Sequence, residues 1–321
     1  SNLLVSDAGI KGVVIACQKR MNAISITNES ITAEAGALLG IVARQAADAS
    51  LSGMEFAAGI PGSIGGAVIM NAGAYGEEMK DIIVSALVLD KDQVLRSYSR
   101  DELELEYRTS KVMRQKGIVI EASLQLKEGN KNEIHLYMKE LAQKRMDKQP
   151  LSYPSAGSTF KRPEGHFAGQ LIQEAGLLGF SIGGAEVSTK HGGFVINARQ
   201  ATAEDVFQLM KEVQRRVYEK SGVKLEPEVR LVGTALKLLI LTGMSGAGKS
   251  TAFKILEDIG YHCVDNLPVA LLKNFVDLSV KNADAKKVAV GIDIRNGDAI
   301  NDLQDILMEL DDDGKAFDIL F

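Results

Sequence analysis

Apolar residues recur along this chain at two spacings. SITAEAG (30–36), DIIVSALVLD (81–90), GIVIEASLQL (117–126) and GGFVINA (192–198) are short β-branched runs with Gly, Asp or Ser punctuation. Such runs predict strands, and GVVIA (12–16) and LEPEVRLVG (225–233) read the same way. AGALLGIVARQAADAS instead places Leu38, Leu39, Val42, Ala43 and Ala46 at helical spacing. Helices are also predicted in the charged segment 133–149 and in 166–177. A further helix follows Thr202 as N-cap, with Asp205 three residues on in a capping-box-like position. Its apolar stripe is Val206, Leu209, Met210, Val213 and Val217, and Gly222 stops it. A final unit reads as strand KLLILTG, loop, then helix STAFKILED.

Composition changes this picture little. At 321 residues, two or three domains are expected. Hydrophobic content of 45% and charged content of 25% suit a globular protein. A net charge of −5 gives no basic footprint for bulk nucleic-acid binding. The two cysteines form no ligand cluster, and a reduced cytoplasmic chain is expected. No apolar run reaches the roughly 18 residues of a membrane span, so no membrane partner is expected. SNLLVSDAGIKGVVI does not read as a signal peptide, and it and FDILF (317–321) read as cut ends.

The clearest chemistry lies at 243–250. GMSGAGKS fits G-x-x-x-x-G-K-[ST]. Glycines at Gly243, Gly246 and Gly248, with Met244, Ser245 and Ala247 between them, let backbone N–H groups converge on phosphate oxygens. Lys249 is expected to reach the β- and γ-phosphates and Ser250 to ligate Mg²⁺. A second glycine-dense stretch, GIPGSIGGAVIMNAGAYG (59–76), fails the G-x-G-x-x-G spacing yet offers many N–H groups in a tight path. That suits a pyrophosphate; a structural glycine-rich connection is the alternative.

Two resemblances extend these readings. Residues 237–321, with GYHCVDNLP and GIDIRNG, resemble the start of the RNase adapter family known as RapZ or YvcJ. The resemblance implies ATP at 243–250 and GTP at Asp293, Ile294, Arg295 and Asn296. RNA binding is not expected, because that family's C-terminal part is absent. Leu236 stands where its initiator would stand. Upstream, SNLLVSDAGIKGVVI, GIPGSIGGAVIMNAGAYG, YRTSK, SAGSTFKRP, VSTKHGGFVIN and LEPEVRLVG occur in the order of the UDP-N-acetylenolpyruvoylglucosamine reductase family. Its G-x-G before SNLL is not in these 321 residues.

The resemblances imply three parts. Residues 1–128 would be an α+β FAD-binding domain of the vanillyl-alcohol-oxidase (PCMH) type, 129–234 an α+β substrate domain, and 235–321 a partial α/β P-loop domain. FAD would be held by Ser1, Asn2, Gly59, Pro61, Gly62, Ser63, Gly65, Gly66, Asn71, Gly73 and Tyr75. With NADPH as reductant, a UDP-sugar enolpyruvyl ether would become a lactyl ether in peptidoglycan precursor synthesis. Arg108 and Glu228 would hold the substrate carboxylate in an enol-like form, with Glu228 protonated or sharing a proton. Ser158 would donate the proton to carbon, with Lys161 as its neighbour. A second reading is a nucleotide-binding regulatory adapter carrying an inert reductase remnant.

Overall fold

A computed structural model of the chain describes residues 2–10, 13–233, 237–242, 249–281, 287–292, 297–312 and 317–320. The chain divides into two units, one holding Asn2, 13–201 and 205–229, the other 3–10, 202–204 and the described residues from 230 onward.

In the first unit, β1 (Ile24–Thr27), β2 (Ser30–Glu34), β3 (Ile83–Leu89), β4 (Leu95–Ser99) and β5 (Ile118–Gln125) form one sheet. The order is β1-β2-β5-β3-β4, every pair antiparallel. The β1–β2 hairpin turns on Asn28, whose φ of 53° suits the small loop residue that such turns favour. Along β2, Ile31 and Ala33 are buried while their neighbours are half-exposed, the period of two that one covered face requires. The covering helices are α1 (Leu39–Asp48) and α2 (Ile64–Ile69), whose Leu39, Val42, Ala43, Ile64 and Val68 share the core with the sheet. Leu38 lies just outside α1 and is exposed, so it does not join the predicted stripe.

The predicted strand at 12–16 does not form among the described residues. Val13, Val14 and Ile15 are 93%, 66% and 81% exposed, and no described strand pairs with them. β-branched residues specify a strand only where a ladder partner exists.

Further along, α3 (Lys131–Lys148) leads to β6 (Ser155–Ser158), α4 (Ala168–Glu174), β7 (Ser181–Ile182), β8 (Ala185–Val187), β9 (Phe194–Asn197) and α5 (Ala203–Ser221). These strands make a second antiparallel sheet in the order β6-β9-β8-β7. Helix α5 buries Leu209, Met210, Val213 and Val217 and ends at Gly222, φ 71°. The predicted strand at 225–233 is strand only at Arg230–Val232, parallel to Leu3–Val5. Pro227 has no N–H to give a ladder, and the stretch around it bonds to residues 159–161 instead.

The second unit holds a parallel sheet of β10 (Lys237–Thr242), β11 (His262–Val264), β12 (Lys287–Ile292) and β13 (Phe317–Leu320), in the order β11-β12-β10-β13. Leu238 and Ile240 pack with Leu272 and Val276 of α7 (Leu272–Lys281) and Leu303 of α8 (Gly297–Asp312). Leu239 and Leu241 point the other way, onto Phe253 of α6 (Lys249–Asp258). Both faces are therefore covered, as a parallel sheet demands.

Candidate active site

Three segments of the first unit converge on one place. The first is a tight turn at 106–109, closed by reciprocal backbone hydrogen bonds of 3.2 Å between Glu106 and Thr109. Arg108 stands at its tip with φ 57°, a left-handed conformation unfavourable for a non-glycine residue. Two buried side chains tie this turn to the glycine-rich segment. Asn71 Nδ2 donates to the Glu106 carbonyl at 3.2 Å, and Ser110 Oγ donates to the Ile69 carbonyl at 2.8 Å. Ser110 also caps the short helix Lys111–Arg114 by accepting from Met113 N–H.

The second and third segments run side by side. Phe160 bridges Pro227, the Glu228 N–H donates to the Thr159 carbonyl at 2.9 Å, and the Lys161 N–H donates to the Glu226 carbonyl at 2.8 Å. This brings Ser158 and Glu228, 70 positions apart in sequence, to adjacent rows. Arg108 Nε then donates to Glu228 Oε1 at 2.8 Å. The side chains of that pair are only 19% and 11% exposed, so the ion pair is screened far less than a surface one. Among the described residues no acceptor engages the two terminal nitrogens of Arg108, which leaves a planar fork for a carboxylate. Ser158 Oγ is exposed and has no protein partner among the described residues.

Lys161, expected as a neighbour of that hydroxyl, has a carboxylate partner of its own. Its ammonium pairs with Glu226 Oε2 at 3.3 Å.

The glycine-rich stretch is more ordered than a free loop. The N–H groups of Ile64 and Gly65 donate to the carbonyls of Ala37 and Ala35, and the Gly62 carbonyl accepts from Leu39. The N–H groups of Gly59, Gly62, Ser63 and Gly66 have no acceptor among the described residues. Gly65 is a packing glycine, since a Cβ there would lie 2.8 Å from Ala35 Cβ. Gly66 is open, with nothing nearer than Ser63 Oγ at 3.9 Å. Gly59 faces the half-buried Arg145, which pairs with no described carboxylate and bonds Gln149 at 2.9 Å. Free N–H donors and bare glycine edges in one path fit an anionic group such as a dinucleotide pyrophosphate.

Other residues expected there also make bonds within the protein. Asn71 is fully buried; its Oδ1 accepts from Lys80 N–H at 3.0 Å, so its amide braces the Arg108 turn. Gly73 sits in the hairpin with Glu78, where a Cβ would clash with Glu77 and Glu78. The Tyr75 hydroxyl donates to the Leu141 carbonyl at 3.1 Å and half the residue stays exposed. Asn2 Nδ2 donates to the Glu228 carbonyl at 2.9 Å. Pro61 lies between Gly59 and the free Gly62 N–H, and Ser1 falls outside the described residues. Among the described residues no group of His, Cys, Asp and Glu is arranged for a metal.

In the second unit, Ser250 is exposed on the first turn of α6, directly after the strand-to-helix connection. Positions 243–248 and Asp293, Ile294, Arg295 and Asn296 lie outside the described residues, as does the side chain of Lys249.

Comparison with known proteins accounts for the order of these segments. Residues 1–97 match the FAD binding domain model, and 149–232 match the model described as UDP-N-acetylenolpyruvoylglucosamine reductase, C-terminal domain. A UDP-N-acetylenolpyruvoylglucosamine reductase of Agathobacter rectalis is 55% identical over 245 residues, 73% of this chain and 78% of that protein. This chain belongs to the UDP-N-acetylenolpyruvoylglucosamine reductase family. The reductase of Lachnoclostridium phytofermentans is 56% identical over 237 residues, 73% of this chain and 76% of its own. The crystal structure of the Thermus caldophilus reductase (MurB) superposes with a TM-score of 0.61 at 37% identity, covering 72% of this chain and 82% of that one. Residues 236–321 match the RapZ-like N-terminal domain, so a second family is joined to the reductase in this chain. No described helix is long and apolar enough to cross a membrane.

Sequence reasoning missed the struts of this site. Asn71, expected as an FAD contact, also braces the Arg108 turn, and the motifs do not single out Ser110. Thr159, 2% exposed with Oγ1 accepting from Val195 N–H, was not marked either. For Asn71 the available signal is a polar residue flanked by the apolar Met70 and Ala72; Ser110 and Thr159 each have a polar neighbour and carry no such signal.

Proposed function

We propose that the chain catalyses the FAD- and NADPH-dependent reduction of UDP-N-acetylglucosamine enolpyruvate to UDP-N-acetylmuramate. The observation that carries this reading is the Arg108–Glu228 pair beside an unpartnered Ser158. Residues 1–128 serve as the FAD-binding domain, 129–234 as the substrate domain and 235–321 as a nucleotide-binding segment.

Gly59, Gly62, Ser63 and Gly66 would hold FAD through their backbone N–H groups, and FAD reduced by NADPH would supply the hydride chemistry at the terminal enolpyruvyl carbon. The chain's own residues handle the charge and the proton. The free fork of Arg108 takes the substrate carboxylate in two parallel hydrogen bonds. As hydride adds to the terminal carbon, negative charge grows on the adjacent carbon and spreads into that carboxylate. A guanidinium already fixed by Glu228 meets this charge without reorganising. Ser158 Oγ then gives its proton to the adjacent carbon, which completes addition of hydride and proton across the double bond.

The test is a two-step spectral experiment. The FAD-loaded chain should bleach with NADPH under anaerobic conditions and regain its flavin colour when the enolpyruvyl UDP-sugar is added. Bleaching without recovery would leave a flavin protein but sink the proposed substrate.

The P-loop segment binds ATP or GTP with Mg²⁺, on the support of G-x-x-x-x-G-K-S between β10 and α6. Nucleotide-dependent thermal stabilisation of the chain, abolished by removing Mg²⁺, tests this. No shift with either nucleotide would contradict it.

A further inference from the structure

The turn before β9 reaches the three catalytic residues through a chain of peptide groups. Ser188 Oγ accepts the N–H groups of Lys190 at 3.1 Å and His191 at 3.3 Å, which shapes the turn. His191 Nδ1 accepts the Gly193 N–H at 3.0 Å. The Gly193 carbonyl accepts the Thr159 N–H at 2.8 Å, and the Thr159 carbonyl accepts the Glu228 N–H at 2.9 Å. Glu228 in turn accepts from Arg108. The Thr159 N–H belongs to the peptide it shares with Ser158, and Ser158 pairs with Phe194 across the sheet.

The imidazole at the head of this chain is packed on one ring and against two glycines. It stands edge-on to Phe194, ring centroids 5.0 Å apart and planes at 75°. A Cβ at Gly169 would come within 3.2 Å of its Cε1, and one at Gly193 within 3.0 Å.

We propose that His191 is a positioning residue for Ser158 and Glu228, fixing the Gly193 peptide that holds the Ser158–Thr159 peptide in register with the glutamate. The proposal rests on the reading of Ser158 as proton donor and deepens it. His191 touches neither substrate nor cofactor in this account and acts only through geometry.

The role requires a neutral ring protonated on Nε2, because a protonated imidazole is a donor at both nitrogens. Burial, aided by the ammonium of Lys148, pushes the ring below the ordinary histidine range. Lys190, next to it on the turn, is directed at the Met146 carbonyl, 2.5 Å away. The acceptor therefore persists through neutral pH. As pH falls far enough to protonate the ring, the Gly193 hydrogen bond is lost and the substrate step slows.

Two variants separate this role from simple packing. His191→Asn keeps an acceptor near the place of Nδ1 but cannot titrate, and His191→Leu has none. In the chain as purified, His191→Leu should speed amide hydrogen exchange at Gly193 and Thr159 by about tenfold or more, since the bonds closing those amides are weakened. In the FAD-loaded chain it should slow reoxidation by the enolpyruvyl UDP-sugar by about 10- to 100-fold and leave reduction by NADPH unchanged. His191→Asn should restore both readouts and lack the acid limb. Unchanged exchange in His191→Leu, or an Asn variant as impaired as Leu, would overturn the proposal. So would unchanged reoxidation in His191→Leu alongside slow reoxidation in Ser158→Ala. Should Ser158→Ala itself reoxidise normally, the donor reading falls, while the exchange data still decide the peptide linkage.

Discussion

The two parts of this chain concentrate their chemistry in opposite ways. In the P-loop segment, every group expected to touch phosphate comes from one stretch of eight residues that begins after β10 and ends in the first turn of α6. In the reductase part, Arg108, Ser158 and Glu228 come from a turn, a strand end and an irregular segment, joined only by the fold. A contiguous site needs backbone geometry that a short sequence can specify. A dispersed site needs struts, and here they are buried polar groups such as Asn71, Ser110 and Thr159. Damage should therefore be local in the one and spread through packing in the other.

The largest expected effect separates the parts outright. Lys249→Ala should weaken nucleotide binding by about a hundredfold or more, the loss of a charge-assisted phosphate contact, and leave flavin reduction and reoxidation unchanged. Isothermal titration with ATP and GTP, beside the flavin assay, checks both halves; a changed flavin assay would break the separation. Next is the strut. Asn71→Ala strands the Lys80 N–H and leaves the Glu106 carbonyl with the Thr109 N–H alone, costing about 1–2 kcal/mol. Chemical denaturation should record that loss, and the substrate step should fall because the Arg108 turn is loosened.

Smaller still is a contrast between neighbouring glycines. Gly65→Ala forces a Cβ against Ala35 and should cost about 1–3 kcal/mol. Gly66→Ala should leave stability nearly unchanged and weaken FAD affinity, read by flavin fluorescence, because its open edge faces the cradle. The smallest effect lies on the exposed face of α5. Arg215 and Arg216 bond Glu212 at 2.7 and 2.6 Å and hold its carboxyl at about 2, down from 4.5. A depressed carboxylate stabilises the fold above its unfolded value, and that contribution is lost as pH falls from about 4.5 toward 2. Glu212→Gln should therefore cost about 0.5 kcal/mol at pH 7 and almost nothing at pH 2.

The same contrast explains what the sequence could tell. Periodicity placed α1, α5 and the long strands β3 and β5, because each has one face to bury, whereas α3 buries only Ile134 and Leu141 and is legible from its run of helix-forming charged residues. It misplaced the strand at 12–16, where β-branched residues stand without a ladder partner. It passed over the β1–β2 hairpin, whose Asn28-Glu29 turn lacks the glycine of the strongest hairpin signal. Within the glycine-rich stretch, composition could not distinguish Gly65, which is shaped by Ala35, from Gly66, which is not. The three residues proposed as catalytic were legible only as parts of family motifs, since nothing local to YRTS, GSTF or EPEV says that they meet. The Lys161 ammonium, expected near Ser158, pairs with Glu226, a partner that the motif alone does not name.

The central claim is that Ser158 supplies the proton in the second half of the reaction, and stopped-flow absorbance of the flavin in Ser158→Ala tests it most directly. Reduction by NADPH should proceed at the wild-type rate, because that step places no proton on carbon. Reoxidation by UDP-N-acetylglucosamine enolpyruvate should slow by about 10²- to 10⁴-fold, the usual loss for a missing general acid. Equal slowing of both steps, or reoxidation at the wild-type rate, would contradict the account.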